Sequence, residues 1–164
     1  MTDIYRELRK KGSYLSKIEN QTEEICMYAV KHNWDSLQYV QNQTPSIISE
    51  ALKMSPYALE YVQDQTEEMC LNQIKREIDR LTYVPDYAND ERYEKPYPSR
   101  ILKCIHNQTE EMCLMMIEVD PYSIQYVQNQ TEKLCLKAVR SEPEVFIYIK
   151  EPSEAVCIEY VRNI

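Results

Sequence analysis

A seven-residue string that returns at a fixed interval constrains this chain more than any other feature. Asn20-Gln21-Thr22-Glu23-Glu24-Ile25-Cys26 recurs as Asp64 to Cys70, Asn107 to Cys113 and Asn129 to Cys135, and weaker copies start at Asn42 and Glu151. The starts 20, 42 and 64 lie 22 residues apart, as do 107, 129 and 151. The 43 residues between 64 and 107 hold one full unit and a degenerate one, 86–106, that has lost a residue. Residues 1–19 read as a worn copy, with Leu15 and Ile18 where later units carry Leu and Val. Such a period marks an architecture of stacked units, none of which can bury its apolar face alone. The whole chain is therefore expected to be one array. A degenerate N-terminal capping repeat (1–19) precedes three repeats (20–85), a degenerate repeat or loop (86–106), and two repeats plus a terminal half repeat (107–164).

Superposing the units shows what each position does. With the leading Asn as position 0, position 2 is Thr22, Thr44, Thr66, Thr109, Thr131 and Ser153, always a hydroxyl. A helix N-cap needs such an oxygen to accept from an orphan backbone N–H. Glu commonly follows, suiting the positive helix end, and Pro45 stands where its missing N–H costs nothing. Position 11 is Lys31, Lys53, Lys75, Glu118, Arg140 and Arg162, mostly cations for the last turn. A helix A of about ten residues is thus bounded at both ends. A second entry signal follows at positions 13 and 14, as Asn33-Trp34, Ser55-Pro56, Glu77-Ile78, Asp120-Pro121 and Glu142-Pro143. The shorter helix B it opens carries Leu37, Leu59, Leu81, Ile124 and Phe146 at position 17, and Val40, Val62, Val84, Val127 and Ile149 at position 20. These lie i, i+3 on one face.

Long amphipathic lipid-binding helices also repeat every 22 residues. Proline decides against them: Pro45, Pro85 and Pro152 fall at the B-to-A junction and others at the A-to-B turn, where a mid-helix Pro costs about 3 kcal/mol. The chain is expected to break twice per unit. Helix A is apolar at positions 5, 6, 9 and 10, an arc too wide for a surface helix and right for one flanked on both sides. The fold class that follows is all-α, an α-solenoid of about seven helix-turn-helix repeats.

The string Asn-Gln-Thr-Glu-Glu-Ile/Met-Cys, followed by a block such as Pro56-Tyr57-Ala58-Leu59-Glu60-Tyr61-Val62-Gln63, resembles a helical repeat family of unknown function. That family is found in giant, mimivirus-like DNA viruses that infect amoebae, and in some bacteria. The resemblance covers nearly the whole chain and weakens at 1–19 and 86–106. It implies a viral repeat-array protein that acts by interaction in the host-cell cytoplasm, and it brings no catalytic residues.

Composition narrows the function classes. A single glycine, Gly12, leaves no room for a phosphate-cradling loop, and two histidines, His32 and His106, leave little for zinc or triad chemistry. A net charge of −8 opposes a counterion-releasing grip on nucleic acid. No apolar run approaches the ~20 residues that span a bilayer, and Met1 to Lys11 lacks a signal-peptide core. No enzyme activity, cofactor, metal, nucleic acid or membrane is predicted, and the location expected is cytoplasmic. Cys26, Cys70, Cys113, Cys135 and Cys157 share position 6 with Ile48, so they read as core thiols, with Cys104 as the exception.

Three surfaces remain for a protein partner. The Asn-Gln-Thr triplets close turns or form an amide ladder along one edge. Tyr39, Tyr61, Tyr83, Tyr126 and Tyr148 at position 19 pack on neighbouring repeats or form an aromatic ladder. Positions 4, 8 and 11 give an outward strip that changes from unit to unit, which is where repeat scaffolds write specificity. From it we select Tyr28, Glu50, Asn72, Glu111, Met115, Lys133, Lys137 and Arg140, and from the irregular unit Tyr87, Tyr93 and Tyr97. Partner binding is the leading expectation. The alternative is a structural or assembly protein that self-associates end to end as a homo-oligomer.

Overall fold

The computed structural model describes residues 2–83 and 99–164, which fall in two compact units, Met1–Gln73 and Ile74–Ile164. The first contains α1 (Thr2–Lys10), α2 (Glu23–His32) and α3 (Pro45–Met54), with short 3₁₀ helices η1 (Gly12–Lys17), η2 (Trp34–Tyr39) and η3 (Pro56–Tyr61) between them. α4 (Glu67–Thr82) runs from the first unit into the second. The second continues with η4 (Ile101–Cys104), α5 (Glu110–Val119), η5 (Pro121–Tyr126), α6 (Glu132–Ser141), η6 (Pro143–Tyr148) and α7 (Glu154–Asn163). Within each unit, α-helices stack on α-helices and 3₁₀ helices on 3₁₀ helices: α1 on α2 on α3 above η1, η2 and η3, and α5 on α6 on α7 above η4, η5 and η6. Among the described residues there is no β-strand. The architecture is all-α, built of repeated short helix-turn units in a solenoid-like manner.

Local chemistry explains the elements. The hydroxyls of Thr22, Thr44, Thr66, Thr109, Thr131 and Ser153 each accept from the backbone N–H three residues on, as in Thr22 from Ile25 at 3.3 Å. Ser55 and Asp120 cap the second entry by accepting from the N–H groups of Tyr57 and Tyr122. The B segments are 3₁₀ rather than α. All but the four-residue η4 span six residues between two extended ones, and the last bond runs i to i+3, as from Val40 N–H to the Leu37 carbonyl at 3.1 Å. So short a piece gains little from α geometry, and in 3₁₀ geometry side chains at i and i+3 eclipse. Positions 17 and 20 therefore line up: Leu37, Leu59, Ile124, Val40, Val62 and Val127 are all buried. Leu15 keeps this role in the worn first copy, where Ile18 N–H bonds back to its carbonyl.

The third repeat departs from expectation. The predicted break at Glu77-Ile78 is absent, and α4 continues unbroken to Thr82. Ile78 keeps the N–H that Pro lacks in three of the four units that break (Trp34 stands there in the other), and Glu77 forms a two-pronged ion pair with Arg80 along the helix (3.0 and 2.7 Å). The expected helix B residue Val84, the junction at Pro85 and the polar stretch 86–98 lie outside the described residues. A second departure is Phe146, expected in the core at position 17. It is half-buried, stacked on Tyr160 with ring centroids 4.3 Å apart, and Val145 beside it fills the interior.

Candidate functional site

The glutamines that recur at position 1 turn inward. Gln43 at position 1 donates through Nε2 to the carbonyls of Leu37 (3.1 Å) and Tyr61 (2.8 Å), and its Oε1 accepts from the Gln63 N–H at 3.0 Å. One amide thus ties the end of η2 to the end of η3. The same three bonds recur at Gln21 (Leu15, Tyr39, Gln41), Gln108 (Leu102, Tyr126, Gln128) and Gln130 (Ile124, Tyr148, Lys150). These Gln side chains are committed to the backbone, so the amide-ladder reading does not extend to them. Asn20, Asn42, Asn107 and Asn129 beside them are exposed.

The position 6 cysteines close the same joint from within. Cys26, Cys70 and Cys113 point their thiols at the Oε1 atoms of Gln21, Gln65 and Gln108, at 3.6 to 3.7 Å. Burial pushes the thiols of Cys26, Cys70 and Cys135 up from the ordinary range, and that of Cys113 up to about 11. Cys104 is not the exception expected of it. It is buried at position 19, the Tyr position, as the spacing from Leu102 to Gln108 shows. The cysteine that differs is Cys157, which is half-buried.

The tyrosines at position 19 are half-buried except Tyr83, and where partners are resolved they pack on the preceding repeat: Tyr61 on Trp34 and Tyr148 on Tyr122. The outward strip is narrower than predicted. Positions 4 and 11 are exposed throughout, including Glu111, Lys133 and Arg140, but position 8 is half-buried at Tyr28, Glu50, Met115 and Lys137, and exposed at Asn72. The reason is that position 8 leans on the preceding helix. Tyr28 meets Tyr5 edge-on at 4.7 Å, and Lys137 pairs with Glu118 at 3.3 Å. Met115, expected to be exposed, is half-buried. The basic patch is also neutralised locally. Lys133 pairs with Glu110, and Arg140 reaches Glu159 at 3.2 Å, which holds that carboxyl below its ordinary range. Tyr87, Tyr93 and Tyr97 lie outside the described residues.

A cleft of about 130 Å³ between the starts of α5 and α6, lined by Gln108, Thr109, Cys113 and Asn129, is far below the ~300–1,000 Å³ of ligand sites. His32 donates from Nδ1 to its own helix, at the Tyr28 carbonyl. Among the described residues no three His, Cys, Asp or Glu side chains converge as metal ligands, and no helix is long and apolar enough to cross a membrane. Comparison with family models, with curated proteins and with solved structures finds no match.

Proposed function

We propose that this chain is a non-catalytic helical-repeat scaffold that binds a protein partner through the outward positions of its A helices, within the cytoplasm of a virus-infected cell. One observation carries the reading: the recurring Gln, hydroxyl and Leu/Val side chains are spent on internal bonds and packing, while positions 4 and 11, whose charge changes between units, stand exposed. Gln at position 1, the hydroxyl at position 2 and the Leu and Val pair are all engaged in the fold. Positions 4 and 11, by contrast, present Glu24 and Lys31, Ser46 and Lys53, Glu111 and Glu118, then Lys133 and Arg140. Within each unit, stacked helices that display variable side chains side by side are suited to reading an extended surface.

The reading is tested with the full chain as bait in infected-cell extract, comparing wild type with a chain carrying Lys133→Glu, Lys137→Glu and Arg140→Glu. A partner retained by wild type and lost by the variant, with helical content unchanged, supports it. Equal capture by both, or capture of nothing, counts against this strip.

A further inference from the structure

The C-terminal ends of the first unit's α-helices carry more positive charge than their neighbours neutralise. Position 11, in the last turn of the A helix, is Arg9 on α1, Lys31 on α2 and Lys53 on α3, all exposed. Equivalent positions stack with the helices, at about 8–10 Å per step, so these cations form a row along one edge of the unit. Lys31 is exposed although α2 is flanked on both sides, so the row does not depend on what stacks beyond it. Lys10 and Lys11 extend it. Two carboxylates answer it: Glu7 holds Lys10 at 2.9 Å, and Glu50 lies 3.7 Å from Lys53. Arg9, Lys11 and Lys31 make no ion pair among the described residues.

The helix dipole accounts for one cation at each helix end. It does not account for the contrast with the second unit. There position 11 is Glu118, Arg140 and Arg162, so a carboxylate breaks the row, and Glu118 and Arg140 are paired with Lys137 and Glu159 of the neighbouring helices. Nor is an uncompensated basic edge a by-product of composition, since the chain carries a net charge of −8. Apolar surface lies on the same edge. Met54, next to Lys53, is 45% exposed, and the Tyr28 and His32 rings in the turn of Lys31 lie 4.2 Å apart. An acidic segment in polyproline II form matches such a row: it has three residues per turn at about 3.1 Å each, so every third side chain lies on one face about 9 Å from the last. Nucleic acid matches it less well, because its phosphates are more closely spaced and Glu7 and Glu50 stand beside the cations. We infer that the basic edge of the first unit docks an extended acidic segment of a partner protein, with a carboxylate at every third residue. This deepens the scaffold reading, on which it rests for a protein partner, but it uses a different set of residues from the Lys133 strip.

Nuclear magnetic resonance titration of the full, isotope-labelled chain with synthetic peptides tests it. A peptide of four Glu-Pro-Pro triplets should shift the amide signals in the last turns of α1, α2 and α3. It should bind more tightly than a peptide of the same composition whose four Glu residues are contiguous. A surface ion pair is worth up to about fivefold in affinity, so Arg9→Glu and Lys31→Glu should each weaken binding by about fivefold, and the two together by more. Lys133→Glu, in the second unit, should leave it unchanged. Against Lys31→Glu, a peptide with Lys in place of one inner Glu should recover part of the loss. Arg9 and Lys31 are exposed, so circular dichroism of these variants should match wild type and separate binding from folding. No shifts at millimolar peptide, equal binding of the two peptides, or tighter binding of a single-stranded oligonucleotide of equal charge each overturns the proposal. Capture through the Lys133 strip is measured separately, so either reading can fail while the other stands.

Discussion

Removing one amide should loosen two repeats at once. Gln43 makes three bonds to backbone groups: it donates to the Leu37 and Tyr61 carbonyls and accepts from Gln63 N–H, at 3.1, 2.8 and 3.0 Å. At a net of about 1 kcal/mol per bond, and more where a part-buried group is left unpaired, Gln43→Met should cost about 2–4 kcal/mol. Methionine keeps the length and apolar contact of the side chain, which isolates the hydrogen bonds from packing. Gln43→Glu sharpens the test. Its oxygen still accepts from Gln63, but a second carboxylate oxygen now faces two carbonyl oxygens, so at neutral pH it should be the worse of the two. That deficit should shrink as acid protonates the group and lets it donate once. In urea unfolding with a slope near 2 kcal/mol/M, the Met variant should lose about 1–2 M of midpoint. A Met variant within about 0.5 kcal/mol of wild type, or a Glu variant no worse than Met at pH 7, refutes the clamp.

Other outcomes follow from the same structure. A Cβ on Gly12 would sit 2.0 Å from the Ser36 hydroxyl, itself buried without a hydrogen-bond partner, so Gly12→Ala should cost about 1–3 kcal/mol. Ser36→Ala alone should be neutral or stabilising, and the double variant should recover part of the loss, as thermal unfolding of all four forms will show. Asp120 accepts from the Ser99 N–H (2.8 Å), the Tyr122 N–H and the Ser123 hydroxyl, and Asp120→Ala should cost about 2–4 kcal/mol by urea unfolding. In a thiol-labelling time course on the native chain, Cys157 should react first and Cys113 among the last. Because the thiols of Cys26, Cys70, Cys113 and Cys135 are raised on folding, the unfolded chain loses those protons first. Their contribution is full below the unfolded thiol range near pH 9 and is lost as pH rises through their raised folded values, which for Cys113 is about 11, so a stability–pH series should record a fall on the alkaline side.

Much of the fold was legible because caps act locally. A hydroxyl at position 2 and a Pro after the second cap announce where helices start, whatever surrounds them. The third repeat carried its own warning, since Ile78 stands where other units place Pro or Trp. The 3₁₀ character of the B segments was not legible, because the entry signals and the i, i+3 pair marked a shorter second helix without fixing its hydrogen-bond pattern. The glutamine joint was not legible. The Gln43 amide reaches carbonyls 6 residues before it and 18 after it, and only stacking reveals that these come together. The burial of position 8 was missed for a similar reason: its distance from the apolar arc suggested water, but the preceding helix supplies Glu118 and Tyr5 as cover. For the candidate surface, exposure at positions 4 and 11 was foreseen. The pairing that neutralises Lys133, Lys137 and Arg140 was not, because it joins residues of successive units.

The joint between units has a consequence for how such a chain can change. Gln43 reads only main-chain atoms of its neighbours, and the described residues adopt no positive φ that would demand glycine at a turn. A duplicated copy therefore arrives with its own fastener, which fits any predecessor regardless of that predecessor's side chains. Units of this kind can be inserted, lost or reordered by recombination with the seam intact, leaving the outward residues to diverge afterwards.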